Sequence, residues 1–192
     1  QKKIKHICIS LSELLERASN VGSTNRLVDA LNYFECNKDK DIETFLHEKA
    51  VEFIRRGWCS VYLILDEEAF DNGKIKVLAY FTLSNKVLDL SVGNASNSKV
   101  RAVGGIKNVE YLHFILIGQL GKFYNDECCA EISSEEILDY AFEIIYNVNY
   151  LIPCRCVLVE CSDEEKIHAV YKNYGFVYFQ YDGEHHQFYK RI

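Results

Sequence analysis

The sequence predicts a mixed α/β (α+β) fold with two parallel strands side by side in a sheet. Three observations carry that expectation. Tyr111-Leu112-His113-Phe114-Ile115-Leu116-Ile117-Gly118, running on to Lys122, and Cys156-Val157-Leu158-Val159-Glu160-Cys161 are nearly continuous apolar runs, as in central strands covered on both faces. One amphipathic helical segment separates them, and a strand–helix–strand unit of this kind closes as a right-handed parallel crossover. Turn chemistry at Asp71-Asn72-Gly73 and at Asp182-Gly183 sets a β-hairpin before and after the pair.

In chain order, Gln1-Lys2-Lys3-Ile4-Lys5-His6 is basic but leads into no long apolar run, so no secretory signal is expected. The first sixty residues read as helical. Ser23 or Thr24 can cap a helix with Leu27, Val28, Leu31 and Phe34 on one side. From Asp41, Ile42, Phe45, Leu46, Ala50, Phe53 and Ile54 recur at helical spacing until Gly57 stops them. Strand signals at 60–66 and 75–84 flank the first turn. Ser91, Gly93, Asn94, Ser96, Asn97, Ser98, Gly104 and Gly105 make 89–108 a polar loop, expected as a mobile insertion.

The second half is better signed. Ser133 with Glu136 forms a capping box, followed by the apolar stripe Ile137, Leu138, Ala141, Phe142, Ile144, Ile145 and Val148. Ser162 with Glu165 suggests a second box, ahead of Ile167, Val170, Tyr171 and Tyr174 on one face, with Gly175 at the helix end. Phe176–Tyr181 and Gln187–Ile192 close the chain as a hairpin.

Composition bounds the function. A chain of 192 residues, 48% hydrophobic and 13% aromatic, is expected to be one globular domain. No apolar run approaches the ~20 residues that cross a bilayer, so no membrane partner is expected. Of the eight cysteines, Cys156 and Cys161 belong to a core strand and Cys59 begins another, which suits reduced thiols in a cytoplasmic protein. Cys128-Cys129 and Cys154-x-Cys156 lack the two-plus-two spacing of a zinc site, so no metal is expected. His185-His186 reads as a solvated turn. The net charge of −6 is uneven: residues 1–60 and 61–122 each carry +1, and residues 123–192 carry −8. The last third therefore offers an anionic ligand the least side-chain help.

The order of helices, hairpin, loop, strand, helix, strand, helix and hairpin, ending in Val170-Tyr171-Lys172-Asn173-Tyr174-Gly175-Phe176, resembles the GNAT superfamily of acetyl-CoA-dependent N-acetyltransferases. Tyr171-x-x-x-Gly175-Phe176 is similar to the family's aromatic–three residues–glycine–phenylalanine motif, with Val170 in place of the first aromatic. Gly118-Gln119-Leu120-Gly121-Lys122 is similar to the strand motif of a toxin branch that acetylates aminoacyl-tRNA. The resemblance spans roughly residues 25–192 by element order. It implies a GNAT-like, mainly antiparallel twisted sheet, its central parallel pair splayed at the cofactor site and helices on both faces, as a single domain over 1–192.

The resemblance also implies residue roles. Acetyl-CoA is the expected co-substrate, bound by Gln119, Leu120, Gly121 and Lys122 through the main chain, by Ser133, Ser134 and Glu135 at a helix start, and by Tyr171 at the sulfur. Tyr171 corresponds to the general acid for the departing thiolate, and Glu110 and His113 are candidate bases for the amine. The family's pyrophosphate loop is glycine-rich because glycines let N–H groups approach phosphate. The segment here, Phe123 to Ser134, has no glycine and carries Asp126, Glu127 and Glu131. Three functions follow: acetyl transfer to a small-molecule or peptide primary amine in a direct ternary complex, toxin-type acetylation of aminoacyl-tRNA held silent by an antitoxin, or a non-catalytic GNAT-fold module. A homodimer is among the assemblies the fold allows. For tRNA, only Lys38, Lys40, Lys49, Arg55 and Arg56 offer a basic footprint in the N-terminal helices.

Overall fold

The computed structural model describes residues 4–90, 95–106 and 109–192. The chain runs β1 (His6–Ser10), α1 (Leu11–Asn20), α2 (Thr24–Asn32), α3 (Lys40–Thr44), a π-helical turn (Phe45–Lys49), α4 (Ala50–Arg55), β2 (Ser60–Asp66), α5 (Glu67–Asp71) and β3 (Val77–Asp89). There follow α6 (Asn97–Gly104), β4 (Tyr111–Lys122), α7 (Ser134–Leu151), β5 (Cys156–Cys161), α8 (Glu165–Asn173), β6 (Val177–Tyr181) and β7 (His186–Arg191). The strands follow the order β1-β2-β3-β4-β5-β7-β6. β4 and β5 are parallel through Ile115↔Val157, Leu116↔Leu158 and Ile117↔Val159, and β1–β2, β2–β3, β5–β7 and β6–β7 are antiparallel. The expected mixed, mainly antiparallel sheet with one parallel pair is therefore present.

Four local expectations are corrected. The first sixty residues are not all helical: His6–Ser10 is a strand, paired with β2 from His6↔Asp66 to Ser10↔Tyr62. The hairpin before the pair has the expected antiparallel register, but its turn contains α5, capped by Asp66, whose carboxylate accepts the Ala69 N–H at 3.1 Å. The polar stretch 89–108 contains α6, with Ser96 Oγ accepting from the Lys99 N–H and Val100 and Val103 buried. Ser91, Gly93 and Asn94 of that stretch lie outside the described residues. Finally, α8 starts at Glu165 without a side-chain cap; the Ser162 hydroxyl donates to Glu164 instead, so the second capping box does not form.

The chain divides into two compact units, Gln1–Leu83 with Gln119–Tyr140 and Ser84–Gly118 with Ala141–Ile192. In the first, Leu11, Leu27, Phe34, Leu46, Leu63 and Tyr80 form the centre of the apolar cluster, and the buried Tyr80 hydroxyl donates to the Ile42 carbonyl at 2.6 Å. In the second, Leu112, Phe114, Cys156, Leu158, Phe179 and Tyr189 pack together. Large apolar side chains buried this fully contribute roughly 1.5–3 kcal/mol each. All eight cysteines are free thiols, and burial pushes Cys156 and Cys161 up to about 11, keeping them protonated. Among the described residues no helix is long and apolar enough to cross a membrane.

Candidate active site

In the first unit, the end of β4 presents one edge of main chain. The Gln119 N–H donates to Thr82 Oγ1 at 2.8 Å and the Phe123 N–H to the Leu78 carbonyl at 2.8 Å, so odd-numbered residues face β3. Backbone polar groups alternate between the two edges of a strand, which turns those of Leu120 and Lys122 the other way. Gln119 thus commits its N–H to the sheet and could meet a cofactor only by its side chain. Gly121 has a different reason to be glycine than a bulge. A Cβ there would lie 2.3 Å from Ile42 Cγ2, because α3 packs directly onto the strand. Lys122 Nζ donates to the Ile132 carbonyl at 3.1 Å, bringing the strand end beside the start of α7.

The segment joining β4 to α7 holds itself in shape without glycine. Asn125 Oδ1 accepts the N–H groups of Glu127 and Cys128 at 3.1 and 2.8 Å, an Asx turn. Asn125, Ala130 and Ile132 donate their N–H groups to carbonyls of the same segment. Tyr124 anchors it outward: its N–H reaches the Glu35 carbonyl at 2.8 Å, its carbonyl accepts from Asn37 at 2.9 Å, and Lys38 lies 4.1 Å from its ring. Asp126 accepts from the Asn37 amide at 3.1 Å.

The capping box at α7 is formed as expected. Glu136 N–H reaches Ser133 Oγ at 3.1 Å, and Glu136 Oε2 accepts from the Ser133 N–H and hydroxyl at 2.9 and 3.0 Å. The Ser133 hydroxyl and N–H are therefore engaged by the helix itself. Ser134 and Glu135 lie outside the box, and their N–H groups are the ones this helix start can offer an anion. Ser133→Ala should cost about 0.5–2 kcal/mol in urea denaturation, typical of a lost N-cap. A change below a few tenths would show that α7 does not depend on its cap.

In the second unit, α8 ends in a Schellman motif, which supplies the physical content of Tyr171-x-x-x-Gly175-Phe176. Gly175 takes φ 93°, the Gly175 N–H reaches the Lys172 carbonyl at 3.0 Å, and the Phe176 N–H reaches the Tyr171 carbonyl at 2.9 Å. The rings of Tyr171 and Phe176 then meet edge to face at 5.6 Å, with Phe188 at 6.3 Å from Tyr171. Burial, and to a lesser degree Cys161, raises the Tyr171 phenol above its ordinary value and keeps it neutral.

The candidate bases lie elsewhere in that unit. Side chains at the start of β4 alternate, Tyr111 and His113 exposed, Leu112 and Phe114 buried, so His113 is not the satisfied core residue its strand suggests. Glu110 lines an open cleft of about 800 Å³ with Asp89, Asn97, Arg101 and Tyr111. A set that sequence reasoning missed also converges here: Asp163, His168 and His186. Asp163 and His168 are near in sequence, but His186 joins them only through the β5–β7 pairing, in which it faces Cys161.

No protein-family profile and no curated protein matches the chain. Solved structures do. The toxin AtaT in complex with acetyl-methionyl-tRNA is similar at TM-score 0.68 and 16% identity, covering 97% of this chain and 95% of that one. A tyrosine-to-phenylalanine mutant of KacT is similar at 0.70 and 13% identity, covering 97% and 95%. AtaTR bound with acetyl-CoA is similar at 0.67 and 17% identity, covering 97% and 93%. Near-complete coverage in both directions, with the strand order and parallel pair described above, shows that this chain has the GNAT fold, the fold of these AtaT and KacT structures.

Proposed function

We propose that the chain is an acetyl-CoA-dependent N-acetyltransferase of the toxin type, with the amino group of an aminoacyl-tRNA as acceptor. The observation that carries this reading is the near full-length likeness to AtaT as seen with acetyl-methionyl-tRNA. AtaT has also been seen with the antitoxin AtaR, and a neutralising antitoxin is the partner this reading implies. The broader reading, transfer to any primary amine, shares the same chemistry and differs only in acceptor.

The residue roles are these. The main-chain edge at Leu120 and Lys122 that faces away from β3 pairs with the amide-bearing arm of acetyl-CoA, and the N–H groups of Ser134 and Glu135 meet its pyrophosphate. Glu110 accepts the proton of the incoming ammonium. The amine lone pair then forms a C–N bond to the thioester carbonyl carbon, giving an oxyanion. Its collapse breaks the C–S bond and the CoA thiolate takes the phenolic proton of Tyr171, while the second proton on the amine nitrogen leaves to water and a proton from water returns to the phenolate, giving the neutral amide, CoA thiol and phenol. A neutral phenol is the form such a donor needs.

Each unit carries basic side chains of its own. In the N-terminal helices Lys40 pairs with Glu43 and Arg56 with Glu52, while in the second unit Lys99, Arg101, Arg155 and Arg191 gather about α6. These are the candidate phosphate contacts.

A second reading, a GNAT-fold module without catalysis, draws on the loop before α7. Its turn and capping box already use many of the N–H groups that would hold a pyrophosphate. Calorimetry with acetyl-CoA separates the two readings, since a module would show no binding. Glu131→Gly removes a negative charge just ahead of the helix start and should tighten acetyl-CoA about two- to fivefold, the 0.3–1 kcal/mol a charge is worth there. The gain should fade in high salt. An unchanged Kd would place the pyrophosphate away from this loop. Expression should arrest growth if the toxin reading holds, and unimpaired growth under strong expression would favour a small amine acceptor.

A further inference from the structure

At the start of α8, Asp163 Oδ1 lies 3.4 Å from His186 Nε2 and 3.9 Å from His168 Nε2, and one donor atom from each of the three residues falls within 4.8 Å of the other two. The Ser162 carbonyl oxygen is a further donor, 3.1 Å from His168 Nε2. A tetrahedral ion with bonds of about 2.0–2.1 Å separates neighbouring ligand atoms by about 3.3–3.4 Å. The Asp163–His186 edge already has that length, and the Asp163–His168 edge needs to close by only about half an ångström.

The two imidazoles are held in place. His168 packs against the rings of Phe188 and His186, each at 5.0 Å, and His186 against Tyr181 at 4.9 Å. Their side chains are 14% and 21% exposed, whereas Asp163 is 80% exposed and leaves the carboxylate side open to solvent. Two nitrogen donors, one carboxylate and an open fourth position match a borderline divalent ion rather than magnesium or calcium, which take oxygen.

We propose that Asp163, His168 and His186 form a binding site for a divalent transition-metal ion of the zinc class. The ion is coordinated by His168 Nε2, His186 Nε2 and Asp163 Oδ1, with the Ser162 carbonyl or water in the fourth position. In its absence His168 Nε2 can donate to the Ser162 carbonyl; coordination replaces that hydrogen bond and requires the proton to leave Nε2. The ion fastens the β5–α8 turn and α8 to β7. That matters mechanically because α8 begins without a side-chain cap. The expectation of no metal rested on cysteine spacing, which says nothing about ligands gathered by strand pairing. The site is independent of the acetyl-transfer reading, and its test does not use activity.

The test is calorimetric titration of the tag-free full chain with Zn²⁺, paired with Co²⁺ absorption spectroscopy. One ion per chain is expected, with visible d–d bands and no thiolate-to-cobalt charge transfer. Melting temperature should rise by about 5–10 °C when Zn²⁺ is a hundredfold above its Kd. Asp163→Asn alters an exposed side chain, should fold, and should weaken binding at least about tenfold. His186→Gln should abolish the single-site isotherm, with circular dichroism confirming the fold. Binding unchanged in both variants would overturn the proposal, as would a charge-transfer band assigning the ion to cysteines or no Zn²⁺ binding at all.

Discussion

Tyr171→Phe is expected to lower acetyl transfer by about 10²–10⁴-fold while leaving acetyl-CoA affinity and melting temperature nearly unchanged. The change keeps the ring that meets Phe176 and Phe188 and removes only the hydroxyl. The Schellman contact gives this ring a structural role as well, and the phenylalanine variant separates the two roles because packing survives it. A well-folded variant with full activity would reduce Tyr171 to a cap residue. The raised phenol adds a linked effect. A group whose pKa is higher folded than unfolded contributes stability below its unfolded value, about 10, and loses it as pH climbs through the folded value. The Phe variant should therefore lose less stability above pH ~10 than the parent.

Gly121→Ala is expected to destabilise the chain by about 1–3 kcal/mol in urea denaturation, since the added carbon enters space held by Ile42. The strand must shift to accommodate it, so acetyl-CoA affinity should fall too if Leu120 and Lys122 supply the main-chain edge. Ile42→Ala alone should cost about 2–5 kcal/mol as a cavity. Combined, the two substitutions should cost clearly less than their sum, because the new methyl fills part of the space the other leaves. Strict additivity would mean that the helix and strand relax independently and the close approach is not what selects glycine.

Much of this fold was legible because its central elements are locally consistent. The runs at Tyr111–Lys122 and Cys156–Cys161 coincide with β4 and β5, and the Ser133–Glu136 box coincides with the start of α7. β1 escaped because five residues at the edge of a sheet are recognisable only through β2. α6 was hidden by the glycine, serine and asparagine around it, although Val100 and Val103 have helical spacing. Ser162 and Glu165 show the opposite failure: the residues spell a capping box, but the helix begins at Glu165 and the Ser162 hydroxyl donates to Glu164 instead.

The candidate site was legible in part for the same reason. The strand end and helix start were identifiable as neighbours in sequence, and Lys122 joins them in space. That Thr82 takes the Gln119 N–H, that Asn125 substitutes for missing glycines, and that Ile42 dictates Gly121 are contacts between distant segments. No periodicity encodes them. His113 lies exposed rather than in the core because β4 begins past the fully covered part of the sheet, where alternation resumes.

Acetyl transfer to aminoacyl-tRNA is measured directly by incubating the purified chain with labelled acetyl-CoA and a charged tRNA pool. After nuclease digestion and deacylation, mass spectrometry should find N-acetylated amino acid, at levels that fall in Tyr171→Phe by the factor given above. Label found only on small amines or peptides, with none on tRNA-derived amino acid, would contradict the proposed acceptor, and no label on any amine together with no acetyl-CoA binding would contradict the enzyme.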